Sequence, residues 1–477
     1  MTNFLLWSLP ILLALVHIVG LGCAIHAVNY VRTPQGTIAW AVSLIMFPLF
    51  SVPAYLVFGR SKFDGYVEAM RVAENEGRTQ LADLYKKSHP FEVKVLGDRG
   101  HEAAVLARKT LLPWLRGNSV RLLIDGQATF DAIFESIRTA KSYILVEFFI
   151  IHDDQVGREL KDLLIAKSKE GVKVYVQYDE IGSYSLPSKW ITDLRDAGGE
   201  VTAFGTTRGW RNRFQINFRN HRKIVVVDGR EAFMGGHNVG DEYLGRNPEF
   251  GHWRDTHLGV RGPAVEAIQL SFIMDWFWAT RKLPDLEWLP EADGGDVATL
   301  VVPTGPADSD NHCEMMLMQA AHMAKERLWI TSPYFVPNPA VFESLRLAAI
   351  RGVDVRIIIP NKADHIFVYL AAFPCVAHAR QAGMKMYRYT NGFLHQKVIL
   401  VDDDLSAVGT VNLDNRSLRL NFELTLWVCD EPFAAQVAKM LEADMADSKL
   451  VDGDELSHKS FLFNAATRVA RLLEPIL

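Results

Sequence analysis

The stretch NHRKIVVVDGREAFMGGHN, residues 220–238, has a counterpart in LHQKVILVDDDLSAVGTVN, residues 394–412. In both, a His-x-Lys triplet precedes four aliphatic residues and an Asp, and a glycine-containing turn that ends in Asn follows. The aliphatic run predicts a strand in each copy. The matched order of residues predicts that one α/β unit is present twice.

The two copies supply a matched set of polar side chains, which are His221, Lys223, Asp228 and Asn238 in the first and His395, Lys397, Asp402 and Asn412 in the second. Side chains two apart on a strand point to the same face, so each His and Lys project together while Arg222 and Gln396 point away. A single such strand could be an ordinary surface strand. Its repetition with the same downstream spacing favours a site.

Two imidazoles and two ammonium groups suit phosphodiester exchange. One neutral ring can attack phosphorus while the other, protonated, donates to the departing alkoxide. Lys223 and Lys397 would neutralise the non-bridging oxygens of the transition state, and the two Asn side chains would add directed hydrogen bonds. This chemistry requires neither a metal nor a cofactor. We expect Asp228 and Asp402 to brace the turns, although they belong to the signature.

Further matched pairs support a duplication. They are Ala140-Lys141 with Ala324-Lys325, Gly171-Val172 with Gly352-Val353, and Ala197-Gly198 with Ala382-Gly383. Strands that alternate with helices predict two α/β units with mixed sheets flanked by helices, in a pseudo-twofold arrangement. We place the first repeat at residues 118–288, the second at 289–477, and a polar connector at 61–117.

The first 59 residues are apolar and contain one charged side chain, Arg32, between the stretches Phe4–Val28 and Thr37–Phe58. Each stretch is long enough to cross a bilayer, so residues 1–60 predict a hairpin of two transmembrane helices. Basic residues follow the second stretch at Arg60, Lys62 and Arg71. By the positive-inside rule, they place the large domain in the cytoplasm.

Composition excludes some classes of function. The net charge is -5 and the pI is about 6.3, so no global basic field points to nucleic acid as a partner. The four cysteines are scattered and predict neither a disulfide framework nor a zinc ribbon. His237, His252 and His257 are close in sequence, but they lack the ligand spacing of a zinc site. We therefore expect no metal.

The two motifs resemble the paired HKD motif of the phospholipase D superfamily. The wider context is similar to bacterial cardiolipin synthases over essentially the whole chain, as seen in segments 117–126, 217–243 and 409–423. One departure is Gly236, which stands where many members of the superfamily have Ser, whereas Thr410 keeps a hydroxyl. The first half-site would then lack one hydrogen bond to phosphate.

The resemblance implies a multi-pass enzyme of the bacterial inner membrane. It would transfer a phosphatidyl group between two phosphatidylglycerol molecules and give cardiolipin and glycerol, with His221 as nucleophile and His395 as acid and later base. The near-symmetry leaves the reverse assignment open. Carboxylates orient the histidines in this family, and the candidates here are Asp255 and Glu423, each downstream of the histidine in its own half.

Other functions remain open at this stage. The motif fixes phosphodiester chemistry but not the acceptor, so a phospholipase D or another phosphatidyl-alcohol exchange enzyme is the alternative. A nuclease is disfavoured by the apolar N-terminus and the acidic balance. A membrane scaffold with a decayed site is disfavoured because the His, Lys and Asn of both motifs are present. The sequence sets no oligomeric state.

Overall fold

A computed structural model describes residues 2–31, 33–60, 62–93, 100–108, 110–207, 212 and 215–476. The chain forms two compact units. The small unit comprises Met1–Glu68 and Gly205–Arg219, and the large unit comprises Ala69–Phe204 and Asn220–Leu477. Of the charges used for the topology prediction, Arg32 lies outside the described residues.

The small unit contains three apolar helices, α1 (Thr2–Tyr30), α2 (Pro34–Met46) and α3 (Pro48–Phe58). Within α1, Pro10–Tyr30 has a mean hydropathy of 2.3, and among the described residues it is the helix long and apolar enough to cross a membrane. The second predicted span is not one helix, so the two-helix hairpin is not confirmed. At Phe47 the backbone leaves the helical region, with φ -134° and ψ 52°, because Pro48 disfavours that region for the residue before it.

The short helices pack closely on α1. A Cβ added to Gly20 would lie 2.5 Å from the Leu44 carbonyl oxygen and 2.8 Å from the Pro48 Cβ. Ala24 and Ala27 of α1 are buried in the same cluster as Leu44 and Tyr55. Small residues on α1 therefore allow α2 and α3 to lie directly against it.

The elements of the remaining chain follow the predicted duplication. Three helices come first, which are α4 (Asp64–Glu76), α5 (Arg78–Ser88) and α6 (Gly100–Ala107). The first half then contains β1 (Leu115–Ile124), α7 (Asp125–Thr139), β2 (Tyr143–Phe148), α8 (Gln155–Lys169), β3 (Lys173–Tyr178), α9 (Ser188–Asp196), β4 (Glu200–Ala203), β5 (Arg219–Asn220), β6 (Ile224–Val227), β7 (Glu231–Gly235), β8 (Trp253–Arg254), β9 (Thr256–Arg261) and α10 (Ala264–Thr280).

The second half contains β10 (Val297–Thr304), α11 (His312–Met323), β11 (Arg327–Thr331), β12 (Phe335–Val336), α12 (Pro339–Ile350), β13 (Asp354–Pro360), α13 (Ile366–Gln381), β14 (Lys385–Tyr389), β15 (Phe393–Leu394), β16 (Val398–Val401), β17 (Leu405–Gly409), β18 (Leu413–Asp414), α14 (Asn415–Arg419), β19 (Asn421–Cys429), α15 (Glu431–Ala446), β20 (Ser448–Leu450) and α16 (Phe461–Arg471).

The two halves have the same strand order, running in opposite directions from the middle of one sheet. The antiparallel pair β1 and β10 forms the centre of this sheet. From β1 the order runs outward through β9, β7, β6, β2, β3 and β4, and from β10 through β19, β17, β16, β11, β13 and β14. In each half the last three of these strands are parallel to one another, and the others pair antiparallel. In the second half, β20 pairs antiparallel with β14 at the edge of the sheet. Two duplicated α/β domains with mixed sheets are thus confirmed.

Left-handed turns explain the repeated glycines. Gly171 and Gly352 have φ of 93° and 92°, and Gly198 and Gly383 have φ of 103° and 90°. Each follows the end of a helix, where a residue with a side chain would be strained. The repeated dipeptides are therefore helix stops that precede parallel strands.

Candidate active site

Each central histidine lies just before a short strand and pairs with the backbone of the other half. The His221 N–H donates to the Phe422 carbonyl at 2.9 Å, and the His395 N–H donates to the Arg254 carbonyl at 2.8 Å. Both side chains are buried, with 7% exposed. The two predicted half-sites therefore meet where the two halves join.

The carboxylates that hold the histidines are exchanged between the halves. His221 Nδ1 lies 2.8 Å from Glu423 Oε2, and His395 Nδ1 lies 2.8 Å from Asp255 Oδ2. The structure thus brings each histidine next to a carboxylate of the other half, and the predicted pairing with a carboxylate of its own half is wrong. The reason is the shared core, in which Val226 and Met234 of the first half pack in one cluster with Leu424 and Leu426 of the second.

Hydrogen bonds fix the orientation of Glu423. Its Oε1 accepts from Ser417 Oγ at 2.7 Å and from Asn421 Nδ2 at 3.1 Å, and its Oε2 accepts from the Thr410 hydroxyl. The sequence analysis predicts that the Thr410 hydroxyl hydrogen-bonds phosphate. In the structure it binds the carboxylate that holds His221.

Gly236 has no room for the side chain that Thr410 carries in the other half. A Cβ at Gly236 would lie 1.9 Å from Asp255 Oδ1. We expect Gly236→Ala to displace Asp255, to lower stability by about 1–3 kcal/mol and to reduce activity. Gly453→Ala is the control, because no atom lies within 4 Å of its added Cβ. Unfolding midpoints and turnover of both variants check this, and an unchanged Gly236→Ala enzyme would contradict it.

The two lysines lie beside the rings and are buried. Lys223 Nζ donates to the His221 carbonyl at 2.7 Å. Lys397 Nζ donates to the His395 carbonyl and lies 2.9 Å from Nδ1 and 3.1 Å from Nε2 of the same ring. Two ammonium groups therefore accompany the two imidazoles, as the strand periodicity predicted.

Burial sets the protonation of this cluster. It lowers the pKa of His221 and of His395 to about 4, although each carboxylate partner opposes the shift. It also lowers the pKa of Lys223 to about 7 and that of Lys397 to about 8. At neutral pH the free enzyme therefore has neutral imidazoles. An anionic phosphodiester bound between the rings would favour the protonated form of one of them.

These pKa values predict a narrow pH range for attack on phosphorus. The suitable substrate is a short-chain phosphatidyl ester of p-nitrophenol, because its leaving group needs no proton donor. We expect kcat/KM to fall as pH drops toward about 4, where His221 becomes charged, and to fall as pH rises through about 7 to 8, where the lysines lose their charge. A rate that stays constant up to the ordinary lysine value of 10.5 would contradict this.

The signature aspartates lie at the opposite ends of β6 and β16 from the histidines. Asp228 accepts hydrogen bonds from the backbone N–H groups of the segment before β2, namely Lys141, Ser142 and Tyr143. Asp402 does the same for Lys325, Glu326 and Arg327 before β11. Both have positive φ, 54° and 51°. These hydrogen bonds hold each turn to the start of a neighbouring strand, at the end of β6 or β16 remote from the histidine.

The two asparagines have partners inside the protein. Asn238 Oδ1 accepts from the Ile150 N–H at 3.2 Å, and its amide nitrogen donates to the Tyr243 hydroxyl at 3.3 Å. The side chain of Asn412 is buried and hydrogen-bonds Asp414. Since an amide nitrogen carries two hydrogens, each side chain can still donate to a phosphate oxygen.

The sequence analysis did not predict a group of buried charged side chains next to the two motifs, formed by Arg222, Arg254, Asp275 and Asp444. Arg222 and Gln396 do point away from the histidines, and each contacts a buried carboxylate, on α10 and α15 respectively. Arg222 Nη1 lies 2.6 Å from Asp275 on α10, and Gln396 Nε2 lies 2.6 Å from Asp444 on α15. Arg254 also binds Asp444, at 2.6 and 3.0 Å. The pattern that indicates a buried Asp275 is its position as the single acid in the apolar run FIMDWFW, residues 272–278.

An aromatic ring packs against each histidine. The Phe149 ring centroid lies 5.1 Å from that of His221, and Trp253 lies 5.2 Å from His395. Lys223 Nζ lies 5.5 Å from the Phe149 ring. The apolar surroundings strengthen the electrostatic interactions within the site.

Comparison with known proteins gives the family of the chain and agrees with its fold. A family model described as cardiolipin synthase, PLD-like domain, matches residues 133–276 and 317–445, and one described as phospholipase D-nuclease N-terminal matches residues 9–60. The chain is 50% identical over 469 residues to cardiolipin synthase A of Pseudomonas putida (strain W619), and 51% identical over 468 residues to cardiolipin synthase A of Pseudomonas fluorescens (strain SBW25). Each alignment covers 98% of both chains.

A crystal structure of phosphatidylserine synthase from Haemophilus influenzae Rd KW20 has a similar fold, with a TM-score of 0.56 and 16% identity, covering 75% of this chain and 95% of that one. The duplicated α/β domains and the paired His-x-Lys strands define a protein of the phospholipase D superfamily. Within that superfamily, the chain belongs to the cardiolipin synthase family. It is a phosphatidyltransferase that acts on phospholipids, and a membrane protein.

Proposed function

We propose that the chain transfers a phosphatidyl group from one phosphatidylglycerol to the glycerol hydroxyl of a second, giving cardiolipin and glycerol. The observation that carries this proposal is the crossed cluster of two buried imidazoles, each held at Nδ1 by a carboxylate and flanked by an ammonium group. Since a carboxylate occupies Nδ1 of each ring, Nε2 is the atom that can react, and at His395 it lies 3.1 Å from Lys397 Nζ. Each histidine also hydrogen-bonds the backbone of the other half, which supports convergence of the half-sites.

In the first step, Nε2 of His221 attacks phosphorus, and the bond from phosphorus to the oxygen of the headgroup glycerol breaks. His395 gives its proton to the departing glycerol. In the second step, the hydroxyl of another phosphatidylglycerol enters, His395 removes its proton, and the bond from phosphorus to nitrogen breaks. Lys223, Lys397, Asn238 and Asn412 neutralise and hold the phosphate oxygens in both steps.

The test is an assay of purified protein with phosphatidylglycerol labelled in its glycerol headgroup. Cardiolipin and free glycerol in equal amounts support the proposal. Phosphatidic acid as the sole lipid product would reject it in favour of a phospholipase D. A phosphohistidine that is labile in acid and stable in base, trapped without an acid quench and mapped to His221, would identify the nucleophile.

For the membrane part, we propose that α1 crosses the bacterial inner membrane and that α2 and α3 together return the chain to the same side. The close contact at Gly20 and the apolar composition of both short helices support this arrangement. The large domain, with repeats at 118–288 and 289–477, would then be cytoplasmic. Protease digestion in inverted but not in right-side-out vesicles tests this orientation. We propose lipids, and not nucleic acid, as the partners.

A further inference from the structure

Helix α16 at the end of the chain has one covered face and one bare face. Phe463 packs edge-on against Phe373 of α13, with centroids 5.2 Å apart, and Ala470 is buried in the core of the second half. The opposite face carries four large apolar side chains with exposed fractions of 62–84%, which are Phe461, Leu462, Val469 and Leu472. Tertiary packing therefore uses only half of the apolar surface of this helix.

Cationic groups border the bare face. Arg468 and Arg471 are exposed on the same helix, and Lys459 lies one residue before its N-cap. Glu474, which follows the helix, lies 3.8 Å from Arg471, and the exposed acids Asp452 and Asp454 lie in the preceding loop, away from the helix in sequence. An apolar stripe with arginines along its margin is typical of a helix that lies in the interface of an anionic bilayer.

The position of α16 connects this face to the active site. The Glu474 carbonyl accepts from Asn415 Nδ2 of α14 at 3.0 Å, and Ser417 of the same short helix donates to Glu423, the carboxylate that holds His221. The supporting helix α13 begins with two more exposed apolar residues, Ile366 and Phe367, each 56% exposed. The bare face thus lies on a segment that is linked through α14 to the carboxylate that holds His221.

We propose that the face formed by Phe461, Leu462, Val469 and Leu472 lies in the interface of an anionic bilayer and presents the catalytic cluster to lipid headgroups. This rests on the proposed function for the substrate, but the location of the helix does not depend on it. A lipid substrate in a bilayer must be reached at its headgroup. A docked α16 fixes the distance between the cluster and that surface.

The functional test compares two forms of one substrate with the full-length protein. We expect the double variant Phe461→Ser, Leu462→Ser to lose about tenfold in rate on phosphatidylglycerol vesicles and to keep its rate on monomeric short-chain phosphatidylglycerol. Ile350→Ser is the matched control, because Ile350 is 66% exposed at the end of α12. It should change neither rate. An unchanged vesicle rate, or equal losses on both substrates, would overturn the proposal.

A location test works whatever the reaction is. A spin label on Val469→Cys, with the half-buried Cys23 and Cys429 replaced by serine, is examined in proteoliposomes containing phosphatidylglycerol. We expect more frequent collisions with oxygen, which dissolves in the bilayer, than with a water-soluble nickel chelate. The reverse order, or shielding from both reagents by a second protein surface, would overturn the proposal. If no variant makes cardiolipin, the proposed function fails while this result still stands.

Discussion

We expect His395→Ala to release about one equivalent of p-nitrophenol from a short-chain phosphatidyl p-nitrophenyl ester and then to stall, and His221→Ala to release none. The activated leaving group needs no proton from His395, so the bond from phosphorus to His221 Nε2 still forms. The second step fails because no base remains for the incoming hydroxyl. With phosphatidylglycerol, both variants lose about 10³-fold or more in kcat/KM, since glycerol is a poor leaving group.

A stopped-flow measurement of p-nitrophenol, followed by mapping of the trapped phosphohistidine, checks this expectation. Lys141→Ala serves as a control, because its side chain is exposed and only its backbone contacts Asp228. A burst in His221→Ala and none in His395→Ala would reverse the two roles. Continued turnover of both variants would remove the histidines from the mechanism.

The exchanged carboxylates give a second expected result of similar size. Glu423→Gln should behave like His221→Ala, and Asp255→Asn like His395→Ala, because each amide leaves its histidine in the wrong tautomer. Losses of about 10³-fold or more with phosphatidylglycerol are expected for both. With the p-nitrophenyl ester, Asp255→Asn should keep the burst and Glu423→Gln should lose it.

Double variants provide the control for this pairing. Adding Asp255→Asn to His395→Ala should cost little more than His395→Ala alone, since the two groups act as a unit. With the p-nitrophenyl ester, the double variant of Asp255→Asn and His395→Ala should keep the p-nitrophenol burst. The double variant of Asp255→Asn and His221→Ala should show none. If Asp255→Asn abolishes the burst and Glu423→Gln preserves it, the hydrogen bonds of the structure do not describe the working enzyme.

Much of the fold could be predicted from the sequence, because the patterns that indicate strands and helix ends are local and occur in both halves. Four aliphatic residues between His-x-Lys and Asp define β6 and β16, and glycines at positive φ mark the ends of helices in both halves. The sequence was less reliable in the membrane segment. Hydropathy alone does not register that Pro48 divides the second apolar stretch into two helices.

By itself, the sequence predicted the duplication and the two His-x-Lys pairs, because these follow from residue type and from spacing along one chain. The resemblance to a known family added Asp255 and Glu423 as candidate partners of the histidines. Only the tertiary structure decided that Glu423 holds His221 and Asp255 holds His395, that the Thr410 hydroxyl serves Glu423, and that Gly236 must lack a side chain. Those facts depend on how two halves pack across a shared core, and distance along the chain carries no information about which residues meet there.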